Sequence, residues 1–157
     1  MSSKSRTRND TRTAISPLLR ALTFSRVAHE PVTQTMLLQC YTGLDAFRRG
    51  HGSRALFTTL GRRLLVAEEL GRLGYHRDEI EYIQWAHAAM LHIDATEKEG
   101  GVWLMSDVDY ARLCRAFETF GRQLSVASLG GIAKAEARMV GGLLKAERTL
   151  ALAEAPA

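Results

Sequence analysis

Residues Tyr110, Leu113, Phe117, Phe120 and Leu124 recur at steps of three, four, three and four, and this spacing constrains the fold more tightly than any other feature of the chain. It puts five large apolar side chains on one face of an α-helix, whereas a strand would send them to alternate faces. Ser106 precedes the run, with Asp107 and Asp109 just behind it. A serine there accepts from the free amides of a helix start, and acids suit the positive end of the helix dipole. Start signal, buried face and direction are all encoded locally.

The same signature repeats along the chain. Met36, Cys40, Leu44 and Phe47 form one helical face, which Gly50-His51-Gly52 ends. Ser53 caps the next helix, with Leu56, Leu60, Leu64 and Ala67 on one side and Val66, Leu70 and Leu73 beside them. Glu68 and Arg72 stand four apart, in the favourable order for an exposed ion pair. Gly74 fits the left-handed residue that closes such a helix. Upstream, Ser16-Pro17 opens a short helix to about Arg26, carrying Leu18, Leu19 and Leu22. His29-Glu30-Pro31 then reads as a break and a restart, since proline suits a first helical turn.

From about Arg77 to Glu97, Ile80, Ile83, His87 and Met90 line one side, while Tyr82, Ala86, Ala89 and Ile93 line another. A helix apolar around most of its circumference is expected at the centre of a bundle, with His87 a core histidine. Glu99-Gly100-Gly101 ends it, and Trp103 in the following Val102–Met105 run is placed to plug the core. Leu129-Gly130-Gly131 reads as the next break, before a last helix from about Ile132 to Ala153. Its seam is Ile132, Met139, Leu143, Ala146 and Leu150, interrupted by Glu136. Gly141-Gly142 within it permits a kink or a close helix approach, to the chain's own core or to a second copy.

No segment shows strand alternation, and no solenoid period recurs. The expected architecture is all-α: a single-domain bundle of about six helices with short connections over residues 15–153. A disordered basic arm at 1–14 and a tail at 154–157 flank it. A length of 157 residues suits one domain, and 3 prolines with 7% aromatics suit helices. No apolar run reaches membrane-spanning length. The basic N-terminus is followed by no apolar region, so no secretory signal is expected and the expected location is cytoplasmic. Cys40 and Cys114 sit in helical apolar patterns without a CxxC spacing, and read as buried free thiols.

Charge is unevenly spread. Residues 1–63 carry 11 Lys/Arg against 3 Asp/Glu, while residues 64–157 carry 10 against 14. An asymmetry of this kind points to an anionic partner or to like molecules meeting head to tail. The candidate contacts for nucleic acid or another anion are Lys4, Arg6, Arg8 and Arg12 in the arm, and Arg48, Arg49, Arg54, Arg62 and Arg63 around the RRGHGSR turn. A glycine-rich turn feeding a helix start can hold an anion on free amides. The P-loop pattern and the G-x-G-x-x-G pattern are both absent, and every residue of the turn also has a plain capping role. A helix-turn-helix reader would present Arg54, Thr58 and Arg62, but the two helices are longer than is usual in one.

Chemistry-bearing constellations are not found. His87 and His92 are five apart on a helix and cannot share a ligand; no H-E-x-x-H, metal-ligand cluster or G-x-S-x-G elbow exists. Asp107 and Asp109 read as first-turn acids. No catalytic residue, metal or cofactor is expected, and the chain does not read as an enzyme.

The run GLDAFRRGHGSRALFTTLGRRLLVAEELGRLGY, with VWLMSDVDYARL further on, resembles small uncharacterised all-helical bacterial proteins, some loosely labelled Fis-family regulators. The resemblance covers about residues 31–128 and implies a helical regulator. A Fis-type reader carries a compact C-terminal helix-turn-helix, whereas residues 129–153 read as one alanine-rich helix, so no residue roles are carried over. The leading expectation is a non-enzymatic helical binding or regulatory protein that contacts a protein partner or another copy of itself. The alternative is a nucleic-acid-binding transcriptional regulator that uses the basic arm and the arginine cluster.

Overall fold

A computed structural model describes residues 26–154, which fold into five α-helices with no strand among them. They are α1 (Arg26–Arg48), α2 (Arg54–Arg72), α3 (Ile80–Gly100), α4 (Asp107–Val126) and α5 (Leu129–Glu154), with one 3-10 turn, Arg77–Glu79, before α3. Five of the six expected helices fall among the described residues. The helix expected from Pro17, the basic arm and residues 155–157 lie outside the described residues.

Local signals explain most boundaries. The Ser53 hydroxyl accepts from the Leu56 amide at the start of α2, and Ser106 accepts from the Asp109 amide at the start of α4. Gly50, Gly74 and Gly101 follow α1, α2 and α3 at positive φ, the left-handed conformation glycine adopts without strain. His76 adopts it too, at φ 47°, which re-aims the chain into α3.

Two expected breaks are not breaks. Among the described residues α1 runs from Arg26 straight through Pro31. A proline inside a helix removes one backbone hydrogen bond. Behind it Thr33 and Thr35 donate to the Glu30 and Pro31 carbonyls, at 3.0 and 2.8 Å. Gly130 and Gly131 are first-turn residues of α5, and the chain turns instead at Ala127, whose backbone is extended. Gly131 packs closely there: a Cβ would lie 2.6 Å from the Tyr75 hydroxyl and would have to displace that ring.

The helices pack as two hairpins and a strap. α1 and α2 run antiparallel, close enough at Gly43 that a Cβ would meet Leu60 Cδ2 at 3.0 Å. α3 and α4 run antiparallel and share the longest contact in the molecule. α5 lies across α2. The centre of the bundle is α2, which touches all four other helices, and not α3. Phe117, Phe120, Leu60, Leu64, Ile83 and Ile93 are fully buried between them. Gln123 ties the hairpins together by donating to the Ala67 and Tyr75 carbonyls at 3.0 and 3.1 Å. Cys40 is buried and free, and burial pushes its thiol up to about 12; Cys114 is free and only half-buried. No described helix is long and apolar enough to cross a membrane.

Candidate functional site

The arginines gathered in sequence around residues 48–63 are dispersed by the fold. Arg48 lies over the Tyr110 ring of α4, 4.5 Å from its centroid. Arg49, just past α1, pairs with Asp45 in the last turn of that helix at 2.9 Å. Arg54 lies over Trp103, 5.4 Å from its centroid, and 3.7 Å from Glu97 at the end of α3. Arg63 reaches both Gln39 on α1 and Glu136 on α5, at 2.7 and 3.1 Å. Arg48 and Arg62 make no ion pair among the described residues; Arg62 lines an open groove with Thr59 and Val140. Arg48, Arg54 and Arg63 are thus committed to other elements of the fold, and Arg49 to the end of α1. Lys4, Arg6, Arg8 and Arg12 lie outside the described residues.

The RRGHGSR turn is shaped by packing. A Cβ on Gly52 would lie 2.7 Å from both the Phe47 ring and Trp103 Cβ, so only glycine fits. Trp103 sits edge-on to Phe47 at 6.3 Å and against Phe57 at 5.0 Å, closing that end of the core. The leading end of α2 is thereby set against the α3–α4 connection.

Two polar clusters were not legible in sequence. Asp109, a first-turn acid, is buried and accepts from both Ser106 Oγ and His92 Nδ1 at 2.7 Å. Burial pushes its carboxyl up, but the bonds from Ser106 and His92 outweigh this and hold it below its ordinary range. His92 is itself mostly exposed, so Asp109 fixes its ring orientation on the surface. Glu79 accepts from Arg122 and from Thr119, and the Arg122 guanidinium holds its carboxyl down at about 2. Both clusters span the α3–α4 pair and hold the two helices in register. His87, expected in the core, stands instead at the α2–α3 edge with Nε2 3.1 Å from Glu68. No group of His, Cys, Asp and Glu among the described residues has metal-binding geometry.

The uncovered apolar surface is the other feature that sequence reading missed. On the outer side of α3, Trp85 is 50% and Leu91 71% exposed, with Ala88, His92 and Ala95 exposed beside them. No acid, Lys or Arg is exposed on this face between Glu81 and Lys98. A second such region is the far half of α5. Ile132 and Ala135 are buried, Met139 is half-buried, and every residue with described burial from Val140 onward is exposed, Leu143 and Leu150 of the seam included. The all-round apolarity of α3 thus reflects two separate faces, one in the core and one open to solvent.

No family model, curated protein or solved structure matches this chain.

Proposed function

We propose that this protein works without catalysis of its own, by docking a protein partner or another copy of itself on helix surfaces. The observation that carries this reading is the outer face of α3. It holds a half-exposed tryptophan and a largely exposed leucine on a helix fixed from behind by α2 and α4. Contiguous apolar surface on a rigid support is characteristic of interaction sites, and Trp is enriched among residues that dominate binding. The arginines that would favour an anionic ligand are largely engaged with acids and aromatic rings. The test is a photo-crosslinking side chain placed at position 85 or 91 in the native host. A discrete protein adduct is expected, and absence of any protein adduct would overturn the reading.

The second reading, a nucleic-acid-binding regulator, draws on the excess of 11 Lys/Arg over 3 Asp/Glu in residues 1–63 and on Arg62. It requires duplex binding that weakens steeply with salt, with a shallower slope once residues 1–14 are deleted. Failure to bind duplex at low salt would end it.

A further inference from the structure

We infer that the partner of the α3 face is the α3 face of a second copy, laid antiparallel about a two-fold axis level with Met90. This rests on the docking reading above and names its occupant. A two-fold axis sets each patch against itself, so any charge at its centre would meet the same charge on the copy. The outer face of α3 satisfies that restriction: Gln84, Trp85, Ala88, Leu91, His92 and Ala95 are its exposed residues, none an acid, Lys or Arg. The exposed part of α5 does not, because Lys145, Glu147 and Arg148 stand among its apolar residues.

Size complementarity selects the register. With Met90 level with the axis, Trp85 falls opposite the partner subunit's Ala95, and Ala88 falls opposite the partner subunit's His92. Both rings, Trp85 and His92, then meet an alanine, and Leu91 meets the partner subunit's Leu91 beside the axis. From Trp85 to Ala95 the contact runs about 15 Å, at the helical rise per residue. Glu81, Lys98 and Glu99 fall at the rims, where solvent screens their interactions. Asp109 prepares the face by holding His92 Nδ1, which leaves one orientation of the ring to pack. A contact of two short helices belongs to the small, reversible class of interfaces.

The experiment is sedimentation equilibrium of the full chain across a range of concentrations. A monomer–dimer equilibrium is expected. Ala88→Glu and Leu91→Glu should each weaken it at least ~10-fold, the equivalent of about 1.4 kcal/mol, with the helical circular dichroism unchanged because both positions are exposed. Under mild oxidation Leu91→Cys should form a covalent dimer, and Val140→Cys on α5 should not. A chain that stays monomeric at every concentration overturns the inference. So does a dimer indifferent to both charge variants, which would place self-association elsewhere and leave the docking reading standing. A monomer that still gives a discrete adduct from position 85 or 91 assigns the face to a different protein. That outcome overturns the inference alone, whereas no adduct and no dimer removes the docking reading as well.

Discussion

Helices α3 and α5 both expose large apolar side chains, but they do so on different foundations. α3 is packed by α2 and α4, and polar clusters at Glu79, just before its start, and at His92–Asp109, in its second half, pin it to α4. Its outer face is therefore preformed, and a partner meeting it orders little. α5 is anchored mainly through its first half, at Ile132, Ala135 and the Arg63–Glu136 and Arg138–Glu69 pairs; from Val140 its residues are exposed, with Gly142, Leu143 and Ala146 edging a shallow groove against α2. A helix of that length without tertiary packing is marginal in water, and Gly141 and Gly142 weaken it further. Exposed leucines thus mean different things in the two places: a rigid surface in α3, a segment held by few contacts in α5.

The sharpest way to break this comparison is to truncate matched aliphatic residues. Ile93→Ala, on the buried side of α3, should destabilise the fold by about 2–5 kcal/mol, because a cavity forms where neighbours cannot collapse. Leu144→Ala on α5 should change stability by less than about 0.5 kcal/mol. Urea denaturation of both variants measures the difference, and similar losses would show that α5 is packed after all. Somewhat smaller is the effect of Gly52→Ala. Its Cβ must enter the space held by Phe47 and Trp103, at a cost of roughly 1–3 kcal/mol. Retention of full stability in that variant would mean that the closed end against which α3 finishes is looser than described.

Ser106→Ala should cost about 1 kcal/mol through loss of the α4 cap, and it also removes one of the donors to buried Asp109. Its more telling readout is amide exchange: residues near His92 in α3 should lose protection, while the far half of α5 exchanges rapidly with or without the substitution. The smallest effect concerns pH. Glu79 has a folded pKa of about 2 against an ordinary 4.5, so its ionised form is favoured by folding. The stability it contributes is complete above the ordinary value and drains away as pH falls from about 4.5 towards about 2. Thermal unfolding followed across this range should show a shallower acid decline in Glu79→Gln than in the wild type. Superimposable profiles would remove Glu79 as a pin between α3 and α4.

Much of the architecture was readable from residue order, for identifiable reasons. Leu113, Phe117, Phe120 and Leu124 repeat with helical period and are buried, while Ser53 and Ser106 cap the helices they precede. These are local effects, confined to a few consecutive residues. Most misreadings arose where a distant contact overrode a local preference. Pro31 and the pair Gly130-Gly131 look like breaks, yet the helices run through them; close packing against Tyr75 gives Gly131 a purpose that sequence does not display. The arginine cluster misled for the same reason. Arg54 and Arg63 answer to Glu97 and Glu136, which lie far along the chain and on other helices.

By itself the sequence determined that this chain is helical, where most helices start and stop, and which stripe of each is apolar, because periodicity, caps and left-handed glycines act over one or two turns. Only the tertiary structure decided that α2 is the central helix, that Asp109 is buried against His92, and that one apolar face of α3 finds no cover within the described chain. Burial is a property of what arrives from elsewhere. A stripe of apolar residues states a demand for a neighbour, and the packing of the other helices decides whether the neighbour is there.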